Sequence, residues 1–203
     1  MTAIKTIVFD LSEVLIYGLI QLEDGFAERI GLPESFFFTA FGGPELQAFF
    51  RGKIIEDEYL AGVIQRNQMT ISLADLKTAI RSNFRHRYPG MQAVLEALKP
   101  NYALVLLSDH GREWVDHILD IHPFLEIFDQ LIFSYDLDGT KKEAETFSKL
   151  LNHLKQPAEA CLFIDDQERN CAAAISKGID AIQFTSTEDL IQSLSQRGIE
   201  ISG

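Results

Sequence analysis

Short apolar runs recur along the chain at residues 5–9, 103–107, 130–133, 160–164 and 181–184. Runs this short, bounded by polar and turn residues, predict strands buried on both faces. Each run after the first follows a segment with helical spacing of its apolar residues. These segments are 91–98 after Pro89-Gly90, then 113–119, 143–154, and 170–177 with Gly178 placed to close the last one. Strands alternating with helices predict an α/β fold built on a doubly wound, parallel, Rossmann-like sheet.

The stretch from about residue 17 to 87 breaks this rhythm. It predicts helices at 22–30, 44–51, 57–65 and 73–84, with turns at Gly42-Gly43-Pro44 and Gly52-Lys53. The division expected is an α/β core of residues 1–16 and 88–203, and an inserted helical domain of residues 17–87. Phe36-Phe37-Phe38 and Phe49-Phe50 give the insertion an aromatic character. They are expected in its core, with a lid surface over a cleft as the alternative.

Composition narrows the function. The chain has 203 residues, 46% hydrophobic, which suffices for a full α/β core and one small extra domain. The formal net charge is −12, which disfavours nucleic acid and anionic membranes as partners. No apolar run reaches membrane-span length and no signal-peptide pattern is present, so a cytoplasmic protein is expected. Cys161 and Cys171 have no metal-type spacing and read as reduced, buried thiols.

Four polar groups follow predicted strands at the edge where open parallel sheets bind ligands. They are Asp10 in Ile7-Val8-Phe9-Asp10-Leu11-Ser12, Ser108 in Leu106-Leu107-Ser108-Asp109, Lys141 followed by Phe147, and Phe163-Ile164-Asp165-Asp166 followed by Asn170. Their order and spacing resemble the motifs of the haloacid dehalogenase (HAD) superfamily, subfamily I with a helical cap, over nearly the whole chain.

The resemblance implies roles. Asp10 would be the nucleophile that forms an aspartyl-phosphate. Ser108, with Asp109 beside it, would bind the phosphate. Lys141 would pair with the phosphate and with Asp10, and Lys142 stands where proline is usual, which leaves open which lysine points inward. Asp10, Asp166 and the main-chain carbonyl of Ser12 would hold Mg²⁺, with Asp165 and Asn170 hydrogen-bonding behind them. The implied activity is hydrolysis of a small phosphorylated metabolite such as a sugar phosphate.

Ser12 departs from the family pattern, which has an aspartate there as general acid and base. A serine hydroxyl does not titrate near neutrality, and losing such a group costs roughly 10²–10⁴ in rate. A substrate with a good leaving group would need little acid help, and Glu13 is a nearby carboxyl, though it should face another way. An impaired protein that binds phosphorylated ligands is therefore the main alternative, and a 2-haloacid dehalogenase a lesser one. The retained Asp165-Asp166 pair argues for metal. A Schiff-base role for Lys53, in an ordinary-looking turn, is disfavoured.

Other readings are weaker. Asp136-Leu137-Asp138-Gly139-Thr140 spells an intact first motif, but the later motifs would not follow it, so it reads as a turn. Ser108-Asp109-His110 reads as no hydrolase triad, because adjacent residues should point apart. His110 is expected exposed in a turn, with the cleft wall as the alternative. His117 and His122 lack the spacing of two ligands on one helix face. Trp114 is expected to pack its helix onto the core. Arg51 and Lys53 are expected to be solvated, with contact to an anionic substrate as the alternative.

Overall fold

The strand β1 (Thr6–Phe9) is buried at every position. A strand apolar on both faces belongs in the middle of a covered parallel sheet. β1 sits there, between β2 (Ala103–Ser108) and β4 (Cys161–Asp165). β3 (Gln130–Phe133) and β5 (Asp180–Gln183) form the edges, giving the order β3-β2-β1-β4-β5 with every pair parallel. Phe9 lies in register with Leu106 on one side and Ile164 on the other. The C-terminal ends of three central strands therefore finish together, and chain order reverses at this point in the sheet. That is where open α/β sheets form ligand crevices.

This computed structural model describes residues 3–201 except 21, 23, 34 and 35, and leaves the side chains of Phe37 and Phe38 undescribed. The expected role of Phe37 therefore lies outside the described residues. Between β1 and β2 come α1 (Phe26–Ile30), α2 (Phe37–Phe41), α3 (Pro44–Phe50), α4 (Glu56–Arg66), α5 (Leu73–Asn83) and α6 (Met91–Leu98). The first five form the helical insertion. In the core, α7 (Arg112–Ile121) leads towards β3, α8 (Ser134–Leu137) and α9 (Ala144–Leu154) lead to β4, α10 (Glu168–Ile175) to β5, and α11 (Thr187–Gln196) follows. Among the described residues no helix is long and apolar enough to cross a membrane.

Two hydrophobic clusters cover the two faces of the sheet. One contains Val8, Leu107, Phe163, Phe147 and Leu150. The other runs from Ile7, Phe9 and Leu106 through Trp114 into Phe49, Tyr59 and Leu60 of the insertion. The insertion thus shares a continuous apolar core with the sheet. Gly111 makes this contact possible, since a Cβ there would lie 2.0 Å from the Phe49 ring. Trp114 packs onto the insertion as well as its own layer. It meets Phe49 edge-on at 4.8 Å, and its indole N–H donates to the buried carboxylate of Glu56 at 2.9 Å.

Phe49 and Phe41 are buried, Phe50 is half-buried, and Phe36 is exposed. Arg51 pairs with Glu143, and Lys53 with Asp138 at 3.0 Å, so both tie the insertion to the core. The Asp136–Thr140 segment is occupied structurally. Asp136 accepts the amide of Phe133, Asp138 turns the chain at φ 43°, and α8 begins at Ser134. Cys161 and Cys171 are buried and free, as expected.

Candidate active site

The ends of β1, β2 and β4 and the loop before α9 deliver polar residues to the same place. Asp10 follows β1, and its carboxylate accepts the amide of Leu11 at 2.7 Å. Asp165 ends β4 with no exposed surface. Lys141 reaches in from the loop before α9, with its ammonium 2.5 Å from Asp10 and 2.7 Å from Asp165. Lys141 is buried whereas Lys142 is exposed at the cavity rim, so the inward lysine is Lys141. Burial alone would lower the Lys141 pKa, but Asp10, Asp165 and Asp109 outweigh it and hold the ammonium above the ordinary lysine value. Burial raises Asp10, with Asp165 and Asp166 adding to the rise against Lys141.

Asp165 is fully engaged. It accepts from the amide of Gln167 at 2.8 Å and from the Asn170 side chain at 2.9 and 3.1 Å, besides Lys141. Asp166 is half-buried, and its pKa is raised by burial and by Asp165. Asp10, Asp165 and Asp166 each place an oxygen within 4.8 Å of the others. Asn170 Oδ1 is buried and has no hydrogen-bond partner among the described residues. Three carboxylates and an unpartnered carbonyl oxygen make a hard oxygen donor set that fits a divalent ion such as Mg²⁺.

The second strand end holds a surprise. Ser108 is fully buried and its hydroxyl meets His110 Nδ1 at 2.8 Å, while His110 Nε2 meets the Ser12 hydroxyl at 3.1 Å. Ser108 and His110 meet, but Asp109 turns the other way, in line with the expectation that the three do not form a triad. Two residues apart on extended chain they share a side, and Asp109 between them turns to accept the main-chain N–H of Lys141 at 3.1 and 3.3 Å. Against expectation, His110 is not exposed. It is 4% exposed, set among Phe50, Phe84 and Trp114. Burial, reinforced by Lys141, depresses its pKa to about 3, which makes it a neutral bridge between two hydroxyls. Burial lifts Asp109 to about 6.

Glu13 has φ 63°, a left-handed conformation uncommon for a side-chain-bearing residue. Its carboxylate accepts the amides of Gly18 at 2.9 Å and Ile20 at 2.8 Å, and the Tyr88 hydroxyl at 3.1 Å. It is spent on the chain leading into the insertion. A cavity of about 370 Å³ opens above these groups, lined by Asp10, Ser12, Ser108, Asp166 and Asn170 below and by insertion residues above.

A family model for haloacid dehalogenase-like hydrolases matches residues 4–178. The chain belongs to this family of hydrolases. Flavin mononucleotide hydrolase 1, a chloroplastic protein of Arabidopsis thaliana, is 26% identical over 153 residues, covering 75% of this chain and 62% of that protein. The match therefore spans less than two thirds of that relative. The magnesium complex of the HAD family enzyme bt-2542 from Bacteroides thetaiotaomicron matches at TM-score 0.76, covering 95% of this chain and 99% of that one at 21% identity. A dehalogenase matches at TM-score 0.72 and 15% identity, covering 100% of both chains. These structural likenesses establish the fold.

Proposed function

We propose that this chain is a magnesium-dependent phosphatase of a small phosphorylated metabolite that works through an aspartyl-phosphate on Asp10. The supporting observation is the buried Lys141 ammonium between Asp10 and Asp165, beside Asp166, beneath an open cavity. A carboxylate attacks an anionic phosphoryl group only where cations shield it. Lys141 is one such cation. Asp10, Asp166 and the Ser12 carbonyl would hold Mg²⁺, which when bound supplies further charge stabilisation to the phosphoryl oxygens. The Ser108 hydroxyl and Lys141 would bind the phosphate. Asp109 fixes the main chain of Lys141, and Asp165, held by Asn170, fixes its ammonium.

In this reading residues 17–87 are a cap domain over a core of residues 1–16 and 88–203. The flavin mononucleotide hydrolase supports a phosphorylated small molecule as substrate, and bt-2542 has been crystallised with magnesium and inorganic phosphate. Two free, buried cysteines fit a cytoplasmic setting.

The test is phosphate release from a panel of phosphorylated metabolites with and without Mg²⁺. Magnesium-dependent turnover abolished by Asp10→Asn supports the reading. Metal-independent halide release from 2-haloacids would instead make the chain a dehalogenase. The Ser12 hydroxyl, tied to His110 where the family carries a carboxyl, favours a second reading as a phosphorylated-ligand binder. Tight binding without turnover would select it.

A further inference from the structure

We propose that the cavity selects phosphate monoesters of an apolar, aromatic leaving group that departs as a stable anion, the aryl phosphate class, over sugar phosphates. This rests on the phosphatase reading and specifies its substrate.

The first observation is the wall. The cavity is covered by Leu19, Ile20, Phe41, Leu46, Phe50 and Trp114. Ile20 stays 47% exposed, apolar surface that a ligand would cover. Phe50 offers a ring set at 6.1 Å from Phe49, 6.0 Å from His110 and 6.2 Å from Trp114, so a flat ring entering here joins an existing aromatic group. A sugar would bury hydroxyls against this wall. Among the described residues the insertion's polar side chain there is Gln47, whose carbonyl oxygen already accepts from the Thr140 hydroxyl at 3.0 Å, and Lys142, Gln167 and Arg169 line the opposite, core side. Hydroxyls buried without partners weaken binding.

The second observation concerns the proton that a poor leaving group needs. The Ser12 hydroxyl is bonded to His110, and the other ring nitrogen of His110 to Ser108. The Glu13 carboxylate holds Gly18, Ile20 and Tyr88. Both Asp109 oxygens face the main-chain N–H of Lys141. Ser12, His110, Glu13 and Asp109 are thus committed to the protein, Lys141 is held by Asp10 and Asp165, and Asp166 is the carboxyl that would hold Mg²⁺. An aryloxide leaves without general-acid help, whereas an alkoxide does not.

The step balances without a further reactant. An Asp10 carboxylate oxygen bonds to phosphorus as the phosphorus–oxygen bond to the ring oxygen breaks, and that electron pair leaves on the aryloxide. Water then attacks the phosphorus, the bond to Asp10 breaks and its carboxylate is restored. One water proton stays on the inorganic phosphate and the other ends on the aryloxide, giving the phenol.

Four esters separate the two factors in the presence of Mg²⁺. Phenyl phosphate has the ring and the acidic leaving group, 2-phenylethyl phosphate the ring alone, acetyl phosphate the leaving group alone, and glucose 6-phosphate neither. Expected is a kcat/KM for phenyl phosphate at least about 100-fold above glucose 6-phosphate. The leaving-group contribution should appear in kcat and the ring contribution in KM. Phe50→Ala should raise KM for both ring esters about tenfold, well beyond any change for acetyl phosphate. Leu46→Ser provides a second wall variant should Phe50→Ala fold poorly. Calorimetric binding of the same esters to Asp10→Asn separates recognition from turnover. Parity between glucose 6-phosphate and phenyl phosphate overturns the proposal and leaves the phosphatase reading standing. No turnover, but ring-selective binding lost in Phe50→Ala, upholds the recognition and overturns hydrolysis. No turnover and no ring preference in binding overturns both.

Discussion

At the sheet edge, Lys141 is locked between Asp10 and Asp165 with almost no exposed surface. Across the cavity, Phe49 stacks on Tyr59 at 5.0 Å and meets Trp114 edge-on at 4.8 Å. The floor gathers charges out of water, which costs stability unless every partner is present. The wall gathers apolar rings, which gains stability and asks little of geometry beyond packing. One region is therefore built for chemistry at the expense of stability, and the other holds the insertion over it. Neutralising a floor carboxylate and truncating an aromatic ring across the cavity should therefore affect turnover and stability oppositely.

The largest effect is expected at Asp10. Asp10→Asn should lower turnover by on the order of 10⁴ or more, yet the metal-free protein should keep or raise its melting temperature, because burial disfavours the ionised carboxylate it removes. Steady-state kinetics beside thermal melts check this, and a large fall in melting temperature would count against the contrast. Lys141→Met leaves Asp10 and Asp165 without their cation. Chemical denaturation should show a loss of about 3–5 kcal/mol without metal, and a smaller one with Mg²⁺. Equal losses in both conditions would argue against a metal beside these carboxylates.

Behind the wall, Phe49→Ala should cost about 3–5 kcal/mol by denaturation, with turnover by the remaining folded protein reduced far less than in Asp10→Asn. The smallest effect is the pH dependence contributed by Asp109. Its folded pKa of about 6 lies above the ordinary 3.8, so the folded state holds the extra proton between those values. Stability from this group is present below pH 4 and lost as pH rises through about 6. Asp109→Asn should remove that decline, about 3 kcal/mol, from a stability–pH profile of the metal-free protein.

The contrast also explains what could be read from the chain. Strand cores were legible because they are local apolar runs: 130–133 matches β3 completely, and 103–107 falls one residue short of β2. The helix at 91–98 matches α6, and Gly178 has the expected positive φ of 84°. Asp10, Ser108 and Asp165 come together because strand register aligns strand ends, whereas Lys141, in the loop before α9, was picked out by motif spacing alone. α11 was missed although it carries a local signal, Ser186 accepting the amide of Asp189 at its start. α8 lay hidden in a segment read as a turn, and α2 is a single short turn of phenylalanines.

The bridge from Ser12 through His110 to Ser108 had no such signal. It joins positions 98 residues apart, and its existence depends on where Asp109 turns. Contacts of the wall were equally hidden, since Trp114 and Glu56 meet only when the insertion has docked. Local pattern reports elements, and register reports the strand-end residues. Side-chain direction at a strand end and the packing of an insertion depend on the whole fold.

The central claim is that Asp10 accepts the phosphoryl group. A single turnover with a phosphate ester and Mg²⁺, quenched in acid and mapped by peptide mass spectrometry, tests it most directly. A phosphoryl group on the peptide containing Asp10, absent without Mg²⁺ and in Asp10→Asn, is the predicted result. Phosphate release with the phosphoryl group on another residue, or with no phosphorylated intermediate when breakdown is slowed, would contradict it.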